Sequence, residues 1–266
     1  MQLSSNGFLT IDSAELEYRL IGPQPSDAPC IVLLHEGLGS AGLWGDFPDK
    51  LQAATGASVF AYSREGYGAS SPVALPRPLD YMQREALDVL PKLLATIGFQ
   101  RGLLIGHSDG ASIAAIYAGG HQDHRLDGIV LIAPHVIVED VSVSSIAAIK
   151  TAYETTELRT KLARWHEDVD NAFYGWNGAW LDPAFRRWDI TDYLAYIRVP
   201  VAVIQGVVDQ YGTARQVEII QEECYCPVEV TMLPNTGHSP HREAPEATLR
   251  IVAEFATATL PLISRT

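Results

Sequence analysis

The chain has 266 residues, 47% of them apolar and 19% charged, a balance that supplies a large buried core, fits one sizeable α/β domain and excludes a disordered chain. Its formal charge of −13 argues against nucleic acid and anionic membrane surfaces as partners, because both attract basic proteins, and it disfavours a strongly anionic substrate. Three cysteines, Cys30, Cys224 and Cys226, are too few and too scattered for a disulfide framework, and the lone Cys224-x-Cys226 lacks the second ligand pair of a zinc site.

The opening MQLSSNGFLT has neither the basic flank nor the apolar run of a signal peptide, and no stretch approaches the roughly twenty apolar residues of a membrane span. A cytoplasmic protein is therefore expected. Two modest strands, Phe8–Ile11 and Leu16–Leu20, come first and end at Gly22-Pro23. Short apolar runs follow at Ile31–Leu34, Ser58–Tyr62, Leu103–Ile105, Ile129–Ala133, Val201–Ile204 and Val228–Leu233, the pattern of strands buried on both faces of a parallel sheet. Between them, Tyr81–Ile97, Ala111–Ala118, Thr213–Glu223 and Pro245–Ala258 have helical spacing, so βαβ units are expected. From about Val136 to Tyr196 no strand is evident, and Tyr153, Trp165, Phe173, Tyr174, Trp176, Trp180 and Trp188 cluster there. That length of insertion predicts a helical cap over 136–195, with a core made of 1–135 and 196–266.

The chemistry concentrates in loops that follow strands. Gly106-His107-Ser108-Asp109-Gly110 comes directly after Leu103–Ile105 and before a run of small helix formers. A Gly-x-Ser-x-Gly between strand and helix is the setting of a nucleophile elbow, in which the glycines admit a tight turn and the serine is held clear of the sheet. A serine hydroxyl needs a base, and the base needs an orienter. Asp209 follows the strand Val201–Ile204, and His238 lies in Asn235-Thr236-Gly237-His238-Ser239-Pro240 after the next strand. The order Ser108, Asp209, His238 suits a triad in which His238 takes the proton and Asp209 holds its tautomer. Asp189, Asp192 and Glu222 compete for the acid's place, but none follows a core strand so directly.

Together the HEGLGS, YSREGYG, GHSDG, GVVDQYG and NTGHSPHRE segments resemble the α/β-hydrolase superfamily over nearly the whole chain. The combination is similar to carboxylesterases, enol-lactonases and meta-cleavage-product C–C hydrolases. The resemblance implies an α/β-hydrolase fold, a mostly parallel sheet flanked by helices with a helical cap, working without cofactor or metal on a small-molecule substrate. It also implies an oxyanion hole from the N–H groups of Gly37, or Leu38, and Asp109. Dehalogenases and epoxide hydrolases of this superfamily use an aspartate nucleophile, against which Ser108 argues.

Two residues depart from the common pattern. Glu36 stands where such loops carry glycine, and Asp109 follows the nucleophile; two carboxylates beside a developing oxyanion oppose catalysis unless neutralised. Arg64 is the expected partner of Glu36, and His35 the expected buttress of the loop. Asp109 reads equally well as an acid favoured at a helix N-terminus. Residues expected to line or approach the substrate are Glu36, Arg64, His107, His135, Trp165, Trp176 and Trp180. His135 reads as well as a core histidine, His121 and His124 as solvated, and His241 and Arg242 as either pocket rim or surface.

The leading expectation is hydrolysis of a carboxylic ester of a small, mostly apolar or aryl substrate through an acyl-enzyme. C–C hydrolysis would require an arginine for the substrate carboxylate, with Arg159, Arg164, Arg186 and Arg187 at hand, and the His238 loop lacks the tryptophan usual in those enzymes. Enol-lactone hydrolysis and a non-enzymatic receptor on the same scaffold complete the alternatives. The sequence leaves monomer and dimer open.

Overall fold

The computed structural model describes residues 2–260, so Met1 and the last six residues of the expected core segment 196–266 lie outside the described residues. The chain begins with an antiparallel hairpin of β1 (Asn6–Ile11) and β2 (Ala14–Ile21), in which buried and exposed positions alternate along β2. Then come β3 (Cys30–Leu34), β4 (Ser58–Tyr62), β5 (Gly102–His107), β6 (Leu126–Ile132), β7 (Val201–Gly206) and β8 (Val228–Leu233). They form one eight-stranded sheet in the order β1-β2-β4-β3-β5-β6-β7-β8, antiparallel as far as β4 and parallel from there on. Every run read as a strand forms one, and β3, β4 and β5 are buried on both faces as expected, whereas Val228–Leu233 is not: β8 is the last strand of the sheet, and of its six residues only Leu233 is buried.

Side chains alternate across the sheet and divide the core in two. Ile31, Leu33, Val59, Ile105, Val130 and Ile204 pack against α1 (Phe47–Thr55) and α11 (Pro245–Thr259). Val32, Leu34, Phe60, Leu104, Leu131 and Val203 face the opposite layer, built by α2 (Tyr81–Arg84), α3 (Leu90–Thr96), α4 (Asp109–Gly120) and α9 (Ala214–Glu223). Burying each such side chain is worth about 1.5–3 kcal/mol, so both faces of the central strands are strongly specified. The helix expected over Tyr81–Ile97 is interrupted by a π turn at Glu85–Val89, between α2 and α3. Pro91, in the first turn of α3, has no N–H to give to the preceding turn, and the slipped ladder absorbs the missing bond.

Between β6 and β7 the chain runs through α5 (Asp140–Thr155), α6 (Leu158–Leu162), α7 (Val169–Leu181) and α8 (Thr191–Leu194). The isolated Ile137–Asp189 bridge is its only β pairing among the described residues. The short α10 (Pro240–Glu243) follows the His238 loop. No helix among the described residues is long and apolar enough to cross a membrane.

At the carboxyl end of β5 the chain turns from strand to helix at a single residue. Ser108 has φ 54° and ψ −119°, a left-handed conformation costly for a residue with a side chain and found where surrounding structure imposes it. Its N–H donates to the Ile132 carbonyl at 2.9 Å and its carbonyl accepts from Ala111 N–H at 2.8 Å, which holds the turn between β6 and α4. A Cβ on Gly106 would stand 2.1 Å from the Gly110 carbonyl oxygen, and one on Gly110 would stand 2.0 Å from the Leu34 carbonyl oxygen. Both clashes are with backbone, so the turn requires glycine at each position. Gly110→Ala should therefore lower stability by about 1–3 kcal/mol in urea unfolding. Gly178→Ala, where a Cβ meets nothing within 4 Å, should be neutral or stabilising.

Candidate active site

The loops after β3, β5, β7 and β8 leave the sheet at the same edge, where parallel strands present their carboxyl ends. Ser108, Asp209 and His238, remote in sequence, meet there. His238 Nε2 lies 2.9 Å from Ser108 Oγ, and His238 Nδ1 lies 2.8 and 3.0 Å from the two carboxylate oxygens of Asp209. Asp209 also accepts from Gln205 Nε2 at 2.8 Å and from the N–H groups of Tyr211 and Gly212 at 2.7 and 3.3 Å. Burial works against ionisation of this carboxyl, but the His238 bond and charge, the Tyr211 N–H and Gln205 outweigh it and hold it below the usual carboxylate range. An ionised Asp209 only accepts, so the imidazole proton sits on Nδ1 and Nε2 offers its lone pair to the Ser108 hydroxyl. The other acids considered lie elsewhere: Asp189 accepts from Thr191 N–H, Asp192 opens α8, and Glu222 pairs with Arg215.

The His238 loop is braced by Glu243, which the sequence did not flag, and by His107, which was expected only to approach the substrate. Glu243 accepts from the N–H groups of Gly237 and Ser239 at 2.7 and 2.9 Å, and His107 Nε2 is 2.7 Å from the His238 carbonyl oxygen, to which it donates. Spacing alone could have suggested Glu243, since its carboxylate reaches back along α10 to the turn that precedes it.

Gly37, Leu38 and Asp109, whose N–H groups were expected to face an oxyanion, all line the cavity at Ser108. Among the described residues none of these N–H groups has an acceptor within the protein. The two carboxylates nearby are dealt with differently. The expected Arg64–Glu36 ion pair does not form. Arg64, 1% exposed, lies beneath the loop and donates to the backbone carbonyls of His35 and Glu36. The Glu36 side chain turns the other way, accepts from Arg242 Nη2 at 3.0 Å, and stands 3.4 Å from His107 Nδ1. Burial opposes its ionisation, yet the neighbouring His107, Arg242 and His241 hold it well below the ordinary range. His35 does brace the loop: its Nε2 accepts from Arg64 N–H at 3.1 Å, so its Nδ1 donates to the Glu36 carbonyl at 2.6 Å.

Asp109 turns its carboxylate away from the cavity, accepting from Tyr81 Oη at 2.5 Å and from Trp180 Nε1 at 3.3 Å. Burial raises its pKa against the opposing effects of Arg64, Tyr81 and Trp180. Trp176 and Trp180 of α7 form one wall, with Tyr211 and Ile146 also lining a cavity of about 230 Å³. His135 lines it as well, its ring centroid 5.4 Å from that of His238, and burial keeps it neutral by lowering its pKa. Trp165 corrects the expectation made for it: it is 44% exposed and packs toward Gly42, outside the cavity. Arg159 and Arg186 pair with Asp170 and Asp140 on the surface; neither they nor Arg164 nor Arg187 lines the cavity.

The low carboxylates bring a pH dependence. Unfolded, Asp209 and Glu36 titrate near their ordinary values of 3.8 and 4.5; folded, each titrates lower. As pH falls, the unfolded chain therefore binds these protons first, so the stability they contribute is present above that range and lost on acidification. Wild-type protein should lose more unfolding free energy between about pH 5 and pH 3 than an Asp209→Asn/Glu36→Gln variant, read by urea melts.

Comparisons with known proteins agree with this architecture. The described relatives include a fluoroacetate dehalogenase of Burkholderia sp, 24% identical over 270 residues, which span 85% of this chain and 86% of that one. A human (lyso)-N-acylphosphatidylethanolamine lipase is 28% identical over 114 residues, 43% of this chain and 32% of the lipase. Matches to the lipase and to a Xenopus tropicalis epoxide hydrolase span only about a third of those proteins' lengths. The crystal structure of a proline iminopeptidase from Mycobacterium smegmatis superposes with a TM-score of 0.75 at 20% identity, covering 96% of this chain and 98% of that one. An enol-lactonase from Burkholderia xenovorans LB400 superposes at 0.73 and 18% identity, covering 94% and 100%. The sequence model of the alpha/beta hydrolase family matches residues 31–251, from β3 to α11, and on that match the chain belongs to the alpha/beta hydrolase family.

Proposed function

We propose that the protein is a serine hydrolase that cleaves a carboxylic ester of a small, uncharged, mostly apolar or aryl substrate through an acyl-enzyme. The observation that carries this reading is the unbroken chain Ser108 Oγ–His238 Nε2–Asp209 at 2.9 and 2.8 Å, open to a cavity. Ser108 Oγ attacks the ester carbonyl while His238 Nε2 takes its proton. The carbonyl oxygen becomes an oxyanion facing the N–H groups of Gly37 or Leu38 and of Asp109. Collapse expels the alcohol, which receives the proton from His238. Water, deprotonated by the same nitrogen, then attacks the acyl-enzyme and releases the acid and Ser108. Asp209 stays ionised throughout and stabilises the imidazolium.

Substrate size and charge follow from the wall. A cavity of about 230 Å³ lies at the small end for ligand sites, and its apolar surface comes from Trp176, Trp180, Tyr211, Ile146 and Leu38. Among the described residues no lysine or arginine lines it. A substrate carboxylate would enter without a cationic partner, which disfavours the meta-cleavage type of C–C substrate. A dehalogenase or epoxide-opening reaction would require a carboxylate nucleophile at the position of Ser108, and the neighbouring Asp109 is committed to Tyr81 and Trp180. In this reading the helices between β6 and β7 act as the cap that closes the cavity.

Two measurements test the proposal. A fluorophosphonate probe should label wild-type protein at Ser108, located by mass spectrometry. Ser108→Ala should lose both the label and p-nitrophenyl ester turnover, with kcat down by about four to six orders of magnitude. An ester whose acyl chain ends in a carboxylate should show kcat/KM lower by about tenfold or more than its neutral isostere. Undiminished turnover in Ser108→Ala would sink the mechanism.

A further inference from the structure

His166 stands in the link between α6 and α7 and is 3% exposed. Its Nδ1 accepts from Gly68 N–H at 3.0 Å. The proton of the neutral ring is therefore on Nε2, which donates to the Leu38 carbonyl at 3.1 Å. The next residue continues the attachment, with Glu167 N–H donating to the Gly68 carbonyl at 2.9 Å. Two successive residues of the helical insertion thus grip both polar groups of the Gly68 backbone, and His166 reaches on to the loop after β3.

The Leu38–Gly39 peptide is consequently held at both ends. Gly39 N–H donates to the Glu36 carbonyl at 3.0 Å, and the Leu38 carbonyl accepts from His166. Deeper in the loop, Arg64 holds the carbonyls of His35 and Glu36. From the cavity side, Trp176 lies so close that a Cβ on Gly37 would be 2.1 Å from its Nε1. With the Glu36 carbonyl held by Arg64 and Gly39, the Gly37 N–H of the same peptide is left to face the cavity, and the Leu38 N–H follows in the next peptide.

We infer that His166 is a positioning residue for the oxyanion hole: by fixing the Leu38–Gly39 peptide plane, whose Gly39 N–H holds the Glu36 carbonyl, it keeps the two preceding peptides, which carry the Gly37 and Leu38 N–H groups, turned toward the reacting carbonyl. The inference rests on the acyl-transfer reading above. It makes the oxyanion hole a shared product of core and insertion, complete only while the insertion is seated on Gly68 and Leu38.

The test compares His166→Phe, which keeps an aromatic ring beside Tyr67 but neither hydrogen bond, with His166→Gln, which keeps a donor and an acceptor. Ser108→Ala and thermal melts of all variants run alongside. For a p-nitrophenyl ester, kcat of His166→Phe should fall about 10–100-fold with KM within about threefold, a weakening rather than the outright loss of one donor. The rate of fluorophosphonate labelling should fall in parallel, because the phosphonyl oxygen takes the same N–H groups. His166→Gln should recover most of both rates. If Ser108→Ala is inactive but folded His166→Phe turns over within about twofold of wild type, the inference about His166 is overturned and the hydrolase reading stands. A fall in kcat of both variants that follows their melting temperatures, with no advantage for Gln, would reduce His166 to a purely structural role and overturn the inference as well. Full turnover in Ser108→Ala would overturn both readings together.

Discussion

The turn from β5 to α4 at Ser108 is the constraint around which the rest of the site is arranged. A strand can pass into a helix within one residue only if that residue accepts left-handed angles, φ 54° here, and if nothing but backbone crosses at Gly106 and Gly110. The strain is sustained because β5 lies between β3 and β6 in the middle of the sheet, buried on both faces, where relaxing the turn would mean displacing packed strands. Those same parallel neighbours bring the loops bearing Glu36 to Leu38, Asp209 and His238 to the same edge.

Around this turn the structure keeps three carboxylates in two states. Asp209 is surrounded by donors and a histidine, which together outweigh burial and favour the anion. Glu36 is likewise held ionised, by His107 and Arg242, and its charge is compensated where it sits. Asp109 is raised because burial dominates, and its acceptors are taken by Tyr81 and Trp180. Neighbouring acids with environments that push them apart are how one site assigns different roles to one chemical group. The Asp109 contacts also join the elbow helix to α7, so the cavity wall at Trp180 and the turn at Ser108 share a hydrogen-bonded connection.

The legible part of the site was that which follows strands. Ser108, Asp209 and His238 each come shortly after an apolar run, and runs of that kind form strands wherever the chain places them, so their loops emerge at one edge whatever else the fold does. Arg64 shows where such reasoning stops. Its loop follows β4, and its closeness to Glu36 was readable, but whether it met the Glu36 side chain or backbone depended on which way the peptide planes after β3 turned. The partner of Glu36 proved to be Arg242, more than two hundred positions away in the chain. His166 was similarly silent: a lone histidine in a helical insertion carries no motif, and its two hydrogen bonds exist only because the insertion docks on Gly68 and Leu38. Among the tryptophans, Trp176 and Trp180 share one face of α7 and reach the cavity, whereas Trp165 precedes that helix and faces solvent.

By itself, then, the sequence determined the sheet, its strands and the order of the chemical groups along its edge, because apolar periodicity and glycine spacing are local properties that survive any rearrangement of the surroundings. Only the tertiary structure decided how the two unusual carboxylates are neutralised, which aromatic rings bound the cavity, and which side chains hold the loop after β3. Those outcomes depend on the direction of individual carbonyls and rings across contacts between distant segments, and pairwise geometry of that kind is not encoded in spacing along the chain.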